Sequence, residues 1–187
     1  MSTAILEIPE VRDRVQRWSV KDYERLVEEG AFGKNHELIR GLVIKKMSKS
    51  PLHVSFSLML YDQIKLLLPS GYTARHESPL RLADSVPEPD VAIVQGTPRD
   101  YLQLHPTTAP LVIEVAVTSA ALDRENASLY AEAGVGEYWI VLPRERQIEV
   151  YRHPESGVYR EKHTVSEGTL ECAGVAGVRI SLDELFR

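Results

Sequence analysis

The sequence predicts an α/β or α+β fold, with a central mixed β-sheet flanked by helices. Two short apolar runs rich in β-branched residues, 87–94 and 110–117, have the pattern of strands buried on both faces. A helical pattern at about 120–133 and a third apolar run at 137–142 follow. A strand, a helix and a strand in this order form a β-α-β unit with two parallel strands. The other strands and a late hairpin are expected to be antiparallel, so the sheet is mixed.

Most of the chain is predicted to form one domain. Its 187 residues are enough for a sizeable core. Residues 1–17 show no clear periodicity and are predicted to be an N-terminal arm, which leaves 18–187 as the domain. A helix is expected to begin near Ser19, where Ser19 and Asp22 have the spacing of a capping box, and to end at Gly30.

The remaining elements follow from hydrophobic periodicity and from turn residues. The sequence predicts, in order, strands at 37–39 and 42–44, a helix at 53–68, strands at 72–76 and 80–82, the two apolar strands with a loop at 96–109 between them, the helix and strand of the β-α-β unit, a hairpin of 147–152 and 158–163, and a short helix at 182–186.

Composition and charge narrow the class of protein. The chain is 43% hydrophobic and 26% charged, as in ordinary globular proteins. No apolar run approaches the roughly 20 residues of a membrane span, and the first ten residues lack the features of a signal peptide, so we expect a cytoplasmic protein with no membrane segment. The net charge of −5 argues against a broad basic surface for nucleic acid, but not against a nucleic-acid enzyme with an acidic metal site.

Each of the two apolar runs carries one carboxylate, Asp90 in the first and Glu114 in the second. A buried carboxylate must be paired, hydrogen-bonded, protonated or bound to a metal. If the two strands are neighbours, both side chains can converge on one point and supply oxygen ligands for Mg²⁺ or Mn²⁺. The alternative is that Asp90 caps a turn after Pro89 and that Glu114 pairs with an arginine.

The helix at 120–133 has a polar residue on its inner face. At about 100° per residue, five residues lie within about 60° of one another. They are Leu122, Asn126, Leu129, Tyr130 and Ala133. Asn126 is therefore predicted to point inward, toward the sheet.

Several ordered motifs resemble those of one known family. Pro89-Asp90 followed by Glu114-Val115-Ala116 in an apolar strand is similar to the PD-(D/E)xK nuclease signature. Over about 18–186, the chain resembles the restriction endonuclease domain family of the Uma-two type. The motifs that carry this resemblance are 18–23 (WSVKDY), 37–41 (ELIRG), 87–90 (PEPD), 112–115 (VIEV), 123–125 (DRE), 130–135 (YAEAGV) and 137–141 (EYWIV).

This resemblance implies a restriction endonuclease-like fold and a Mg²⁺-dependent nuclease site acting on DNA. By motif match, Asp90 and Glu114 would be metal ligands, and the backbone carbonyl of Val115 would be a third. Glu37 would be an additional acidic residue of the site; its alternative is a salt bridge at a strand start. His53 begins a helix after Ser50-Pro51 and would face the cleft as a proton carrier or phosphate contact, or else be a surface or capping histidine.

The chain departs from the signature at its lysine. Ala116 occupies the position two residues after Glu114, and Asn126 occupies the helix position where this family carries a lysine instead. Asparagine has no charge with which to stabilise a developing phosphorane. Either Asn126 only orients a water molecule, or Arg124 or Lys49 substitutes for the lysine, or the protein is catalytically weak or inactive.

Two functions therefore remain open. The first is a Mg²⁺-dependent or Mn²⁺-dependent DNA endonuclease with Asp90, Glu114, Asn126, Glu37 and His53 in its site. The second is a nuclease-fold module that binds nucleic acid or a protein partner without cutting. A homodimer is expected, because two single-site domains are often needed to cut both strands.

Overall fold

The computed structural model describes residues 8–12, 14–33 and 35–187, and along them helices alternate with short strands. The helices are α1 (Pro9–Arg12), α2 (Val20–Glu28), α3 (Pro51–Leu67), α4 (Ala120–Glu132) and α5 (Leu182–Leu185), with a single 3₁₀ turn at Pro98–Tyr101. The strands are β1 (His36–Ile39), β2 (Leu42–Lys45), β3 (Tyr72–His76), β4 (Val91–Gln95), β5 (Leu111–Val115), β6 (Glu137–Leu142), β7 (Gln147–Glu155), β8 (Val158–Val165), β9 (Thr169–Glu171) and β10 (Arg179–Ser181).

A six-stranded mixed sheet forms the centre of this fold. Its strands lie in the order β3-β4-β5-β6-β7-β8. Strands β5 and β6 are parallel and are joined by α4, while the other neighbouring pairs are antiparallel. The predicted mixed sheet with flanking helices is thus confirmed. Two small antiparallel pairs, β1–β2 and β9–β10, lie outside the large sheet.

The two faces of the large sheet are covered by different helices. Ile113 and Val115 of β5 share a core with Leu60 of α3. Val112 and Ala116 share the other core with residues of α4. Side chains alternate between the faces of a strand, so Glu114 lies on the α4 side of the sheet. The mixed sheet is buried on both faces, as the continuous apolar runs predicted.

Local sequence signals define the two covering helices. The Ser50 side chain caps α3 by accepting a hydrogen bond from the backbone N–H of His53, and Pro51 occupies the first turn, where its missing N–H costs nothing. Helix α4 stops before Gly134, which adopts a φ of +69° and so reverses the chain toward β6.

Several predicted elements differ from the structure. Residues 80–82 were predicted to be a strand but are irregular, because their backbone N–H groups donate to loop carbonyls of Pro87, Pro106 and Ser85. Leu122 was predicted to lie on the inner face of its helix but is 42% exposed. Strands β9 and β10 were not predicted; each has three residues, too few for a periodic signal.

The N-terminal arm falls only partly within the described residues. Residues 1–7 and 13 lie outside them, and Pro9–Arg12 form one helical turn that the sequence did not predict. The boundary at residue 18 remains a prediction. Among the described residues, no helix combines the length and the apolar character that crossing a bilayer requires.

Candidate active site

A cavity of about 310 Å³ opens beside the ends of β4 and β5. Strand β1, the segment from β2 to α3, the loop before β4, the end of β5 and the start of α4 all contribute to its wall. Five carboxylates from four of these elements line it: Glu37, Glu88, Asp90, Glu114 and Asp123. The cavity is therefore acidic at its centre.

Asp90 and Glu114 are joined directly because β4 and β5 are antiparallel neighbours with Val91 opposite Ile113. The backbone N–H of Asp90 donates to Oε2 of Glu114, with 3.2 Å between the two atoms. The backbone N–H of Val115 donates to Oδ2 of Asp90 at 2.8 Å. Asp90 immediately precedes β4 and Glu114 is the fourth residue of β5, so the predicted convergence of the two carboxylates is what the structure contains.

The negative charge of Glu114 is unfavourable because the carboxylate is buried and lies close to other carboxylates. Burial raises the pKa of Glu114 well above the usual value, and the nearby charges of Asp90, Asp123 and Glu37 raise it further. The phenolic O–H of Tyr130 donates to Oε1 of Glu114 at 2.9 Å and partly offsets this effect. Tyr130, which the sequence places on the inner face of the helix, therefore also orients a carboxylate of the site.

Asp90 is stabilised as an anion by two basic side chains. Its Oδ2 lies 3.0 Å from Nε2 of His53, and its Oδ1 lies 3.4 Å from Nζ of Lys49. Burial alone would raise the pKa of Asp90, but the hydrogen bond and charge of His53, the Val115 N–H and the Lys49 charge together lower it. His53 thus faces the cleft, and its Nδ1 is buried with no hydrogen-bond partner among the described residues.

Glu37 reaches the cavity from β1. An isolated β-bridge between Leu38 and Val86 holds the β1–β2 hairpin against the segment that leads to Asp90. The backbone N–H of Glu88 donates to Oε2 of Glu37 at 3.4 Å. Burial raises the pKa of Glu37. The Lys46 charge and the hydrogen bond from the Glu88 N–H oppose this rise, while the negative charges of Glu88 and Asp90 add to it.

Asp123 is a site residue that the sequence analysis did not identify. It lies in the first turn of α4, is 7% exposed, and its Oδ2 accepts a hydrogen bond from the Ser119 hydroxyl at 2.6 Å. Burial raises the pKa of Asp123 to about 6, with Asp90 and Glu37 contributing further. The signal was its position one turn before Asn126, since residues three apart share a helix face. Leu122 was assigned to that face instead.

The four residues considered in place of the missing lysine lie in different surroundings. Ala116 is buried in the core beneath α4, and Asn126 points into the cavity as predicted. Arg124 does not substitute, because its guanidinium binds the Glu149 carboxylate on β7, with Nη2 to Oε1 at 2.6 Å. Lys49 lines the cavity.

The donor set suits a hard divalent cation. Carboxylate oxygens are the ligands that Mg²⁺ and Mn²⁺ prefer, and a cation would relieve the repulsion that raises the pKa of Glu114. Within residues 8–12, 14–33 and 35–187, no three His, Cys, Asp or Glu side chains are already grouped at metal-binding distances. Val115 lines the same cavity. Metal binding by Asp90, Glu114 and Val115 remains a prediction.

Basic residues form part of the rim of this acidic cavity. Lys45 is the last residue of β2, Lys46 follows it, and Arg144 comes from the turn after β6. The ammonium of Lys46 pairs with the Glu88 carboxylate at 2.5 Å. An acidic centre with a basic rim can bind a cation and an extended anion side by side.

Comparisons with known proteins give a family and a fold for this chain. The model of a family described as "Uma2: Putative restriction endonuclease" matches residues 20–183. Among solved structures, a crystal structure of "a putative nuclease belonging to DUF820" from Anabaena variabilis superposes with a TM-score of 0.74 and covers 86% of this chain and 96% of that one. The two are 19% identical, so this likeness shows the fold. No curated protein matches the chain.

Proposed function

The chain belongs to the Uma2 restriction endonuclease family, and from this premise we propose that it is a divalent-metal-dependent endonuclease that hydrolyses DNA phosphodiester bonds. The observation that carries the proposal is the junction of Asp90 and Glu114, whose carboxylates meet in one cavity with the Asp90 N–H bonded to Glu114. Two further carboxylates, Glu37 and Asp123, add negative charge to that point.

In this proposal Asp90, Glu114 and the carbonyl of Val115 hold Mg²⁺ or Mn²⁺. The bound cation would neutralise the phosphate and lower the pKa of a water molecule. The oxygen of water forms a bond to phosphorus, the bond from phosphorus to a sugar oxygen breaks, and a proton ends on that leaving oxygen. Asn126 orients the water through its amide. His53, whose Nε2 lies 3.0 Å from Oδ2 of Asp90, carries a proton during this hydrolysis.

The rim supports nucleic acid as the substrate. Lys45 and Arg144 lie at the cavity mouth, where they would contact phosphates on either side of the bond to be cut. These contacts would be local, as the net charge of −5 requires. Binding is then expected to weaken as salt rises, with a shallow slope.

A homodimer would place two such sites on one duplex. Each chain supplies one cavity of this kind, and cutting both strands needs a site on each. Analytical ultracentrifugation with and without a short duplex tests this part separately. A monomer that cuts both strands in one binding event would contradict it.

The central experiment is the nicking of supercoiled plasmid with Mg²⁺ or Mn²⁺ by the wild type and by Asp90→Ala. Asp62→Ala is the matched control, because Asp62 is exposed on α3 and does not line the cavity. Cleavage by the wild type and by Asp62→Ala, with none by Asp90→Ala, supports the proposal. Equal cleavage by all three would indicate a contaminating nuclease and would overturn it.

A second function is favoured by one specific observation. Ala116 and Asn126 leave both lysine positions without a charge, so the protein could be a nuclease-fold module that binds nucleic acid or a protein partner without cutting. If the wild type, Asp62→Ala and Asp90→Ala are all inactive, two measurements follow: titration with Mn²⁺ and binding of a labelled duplex. Binding of the duplex supports the non-cutting module, and the absence of both metal binding and duplex binding contradicts it.

A further inference from the structure

The cavity contains a basic side chain that the signature of the family does not assign. Lys49 lies in the segment between β2 and α3, and its side chain is 25% exposed. Its Nζ lies 3.4 Å from Oδ1 of Asp90 and 2.7 Å from Oε1 of Glu77. The ammonium therefore lies beside one of the proposed metal ligands, in the cavity that residues of α4 also line.

Glu77 fixes this ammonium independently of Asp90. The contact of Lys49 with Glu77 is the shorter of the two, so it can persist when Asp90 takes another partner. Glu77 itself has a φ of +45°, which is uncommon for a residue other than glycine. Its backbone N–H donates to the carbonyl of Asp90 at 3.1 Å. The backbone around Asp90 thus sets the position of Glu77, and Glu77 sets the position of Lys49.

The other cations near the cavity either bind other carboxylates or lie exposed at its rim. Lys46 pairs with Glu88, and Arg124 is bound to Glu149 away from the cavity. Lys45 and Arg144 are exposed at the rim. Among the residues that the structure describes, Lys49 is the basic group, apart from His53, that touches Asp90.

We propose that Lys49 is the cation that stabilises the phosphate during cleavage, in the role left vacant at Ala116 and Asn126. The inference rests on the proposed nuclease function. As water adds to phosphorus, negative charge grows on the non-bridging oxygens, and an ammonium fixed beside the metal ligands stabilises that charge more than it stabilises the ground state. Lys49 keeps its proton throughout and acts by charge alone. Glu77 is its positioning residue.

The test compares Lys49→Met with Lys65→Met in steady-state cleavage at varied DNA concentration. Lys65 is an exposed lysine of α3 outside the cavity, which makes it the matched control. Lys49→Met is expected to lower kcat by about 10²–10³, the usual loss when one transition-state donor is removed, with KM changed little. Lys65→Met is expected to keep the wild-type rate.

Two further variants separate catalysis from folding. Lys49→Arg retains the charge and is expected to keep more activity than Lys49→Met. Asn126→Lys in the Lys49→Met background places an ammonium on α4 instead. This double variant is expected to cleave at least tenfold faster than Lys49→Met alone. Melting curves of all variants identify any that have lost the fold.

The outcomes separate a wrong role for Lys49 from a wrong nuclease function. If folded Lys49→Met cleaves at the wild-type rate while Asp90→Ala is inactive, the nuclease function stands and the role of Lys49 is wrong. A rise in KM with unchanged kcat would make Lys49 a binding contact and would also overturn it. If the wild type does not cleave, both are overturned.

Discussion

The backbone N–H of Asp90 donates to the carboxylate of Glu114, with 3.2 Å between N and Oε2. The contact joins two strands of the sheet and places two carboxylates side by side, although like charges at this range repel. His53 and Lys49 offset part of this repulsion at Asp90, and a bound divalent cation would offset more.

Divalent metal should stabilise the folded protein through these carboxylates. At a Mg²⁺ concentration about ten times the Kd, the free energy of unfolding should rise by about 1.4 kcal/mol. Glu114→Gln has nearly the same shape without the charge, so its melting temperature should respond little to Mg²⁺. Thermal melts with EDTA and with Mg²⁺ measure both responses. An equal shift in the two proteins would place the metal elsewhere.

Asp123→Asn should stabilise the metal-free protein at neutral pH. Burial, with Asp90 and Glu37, raises the pKa of Asp123 from 3.8 to about 6. A raised acid pKa favours the protonated folded state, so stability is full below pH 3.8 and is lost as pH rises through 6. The gain at pH 7.5 should be about 1–3 kcal/mol, since one pKa unit corresponds to about 1.4 kcal/mol and the groups are coupled.

Urea unfolding in EDTA at pH 7.5 and at pH 4 measures this difference. Asp62→Asn, an exposed change on α3, should differ from the wild type by less than about 0.5 kcal/mol at both values. The explanation fails if Asp123→Asn is no more stable than the wild type at pH 7.5.

Tyr130→Phe should move the pH dependence of cleavage. The Tyr130 O–H donates to Glu114 and lowers the pKa of that carboxyl, so its removal leaves the pKa of Glu114 still higher. More alkaline buffer is then needed to ionise Glu114, and the acidic limb of the pH–rate profile should shift to higher pH. Tyr159→Phe removes a hydroxyl that donates to the Val135 carbonyl instead, and its profile should match the wild type.

Glu149→Gln should weaken the attachment of α4 to the sheet. The Glu149 carboxylate binds the Arg124 guanidinium in two places, accepts from Tyr151 and lies 3.3 Å from Nζ of Lys162. Burial opposes ionisation, but these partners lower the pKa of Glu149 to about 2. Because Arg124 is partly exposed, solvent screening limits the expected loss at pH 7 to about 1–2 kcal/mol.

The pH dependence of this loss follows from the lowered pKa. The stabilisation is present above pH 4.5 and is lost as pH falls toward 2. Wild type and Glu149→Gln should therefore converge near pH 2 in denaturant unfolding. Glu155→Gln breaks an exposed pair with Arg160 and should cost less than about 0.5 kcal/mol.

The sequence predicted the part of the site that lies on regular elements. Glu114 is in a long apolar run whose buried strand is easy to recognise, and Asn126 lies on a helix whose inner face follows from a constant angle per residue. The position of Asp90 was predictable because it immediately precedes β4, the apolar strand that pairs with β5. The fold was predictable for the same reason, since the β-α-β unit and the two apolar runs determine most of the sheet.

The part that depends on irregular segments was not predictable. Lys49 was named from sequence only as one possible substitute for the missing lysine. Its contacts with Asp90 and Glu77 come from a segment without a repeating pattern, and Glu77 is a left-handed residue that is not glycine. Residues 80–82 are apolar enough for a strand, but their N–H groups bind loop carbonyls. Such contacts join residues far apart in the chain, and local propensity does not encode them.

The alternation of side chains along β5 limits which changes of chain length this protein tolerates. A single residue inserted between Leu111 and Glu114 would turn Glu114 from the α4 side to the α3 side, into an apolar core. The strand could still form, yet its carboxylate would no longer reach Asp90. The same insertion in the loop at 102–108 would leave the register of β5 unchanged. Length variants are thus expected to accumulate before this strand and to be absent within it.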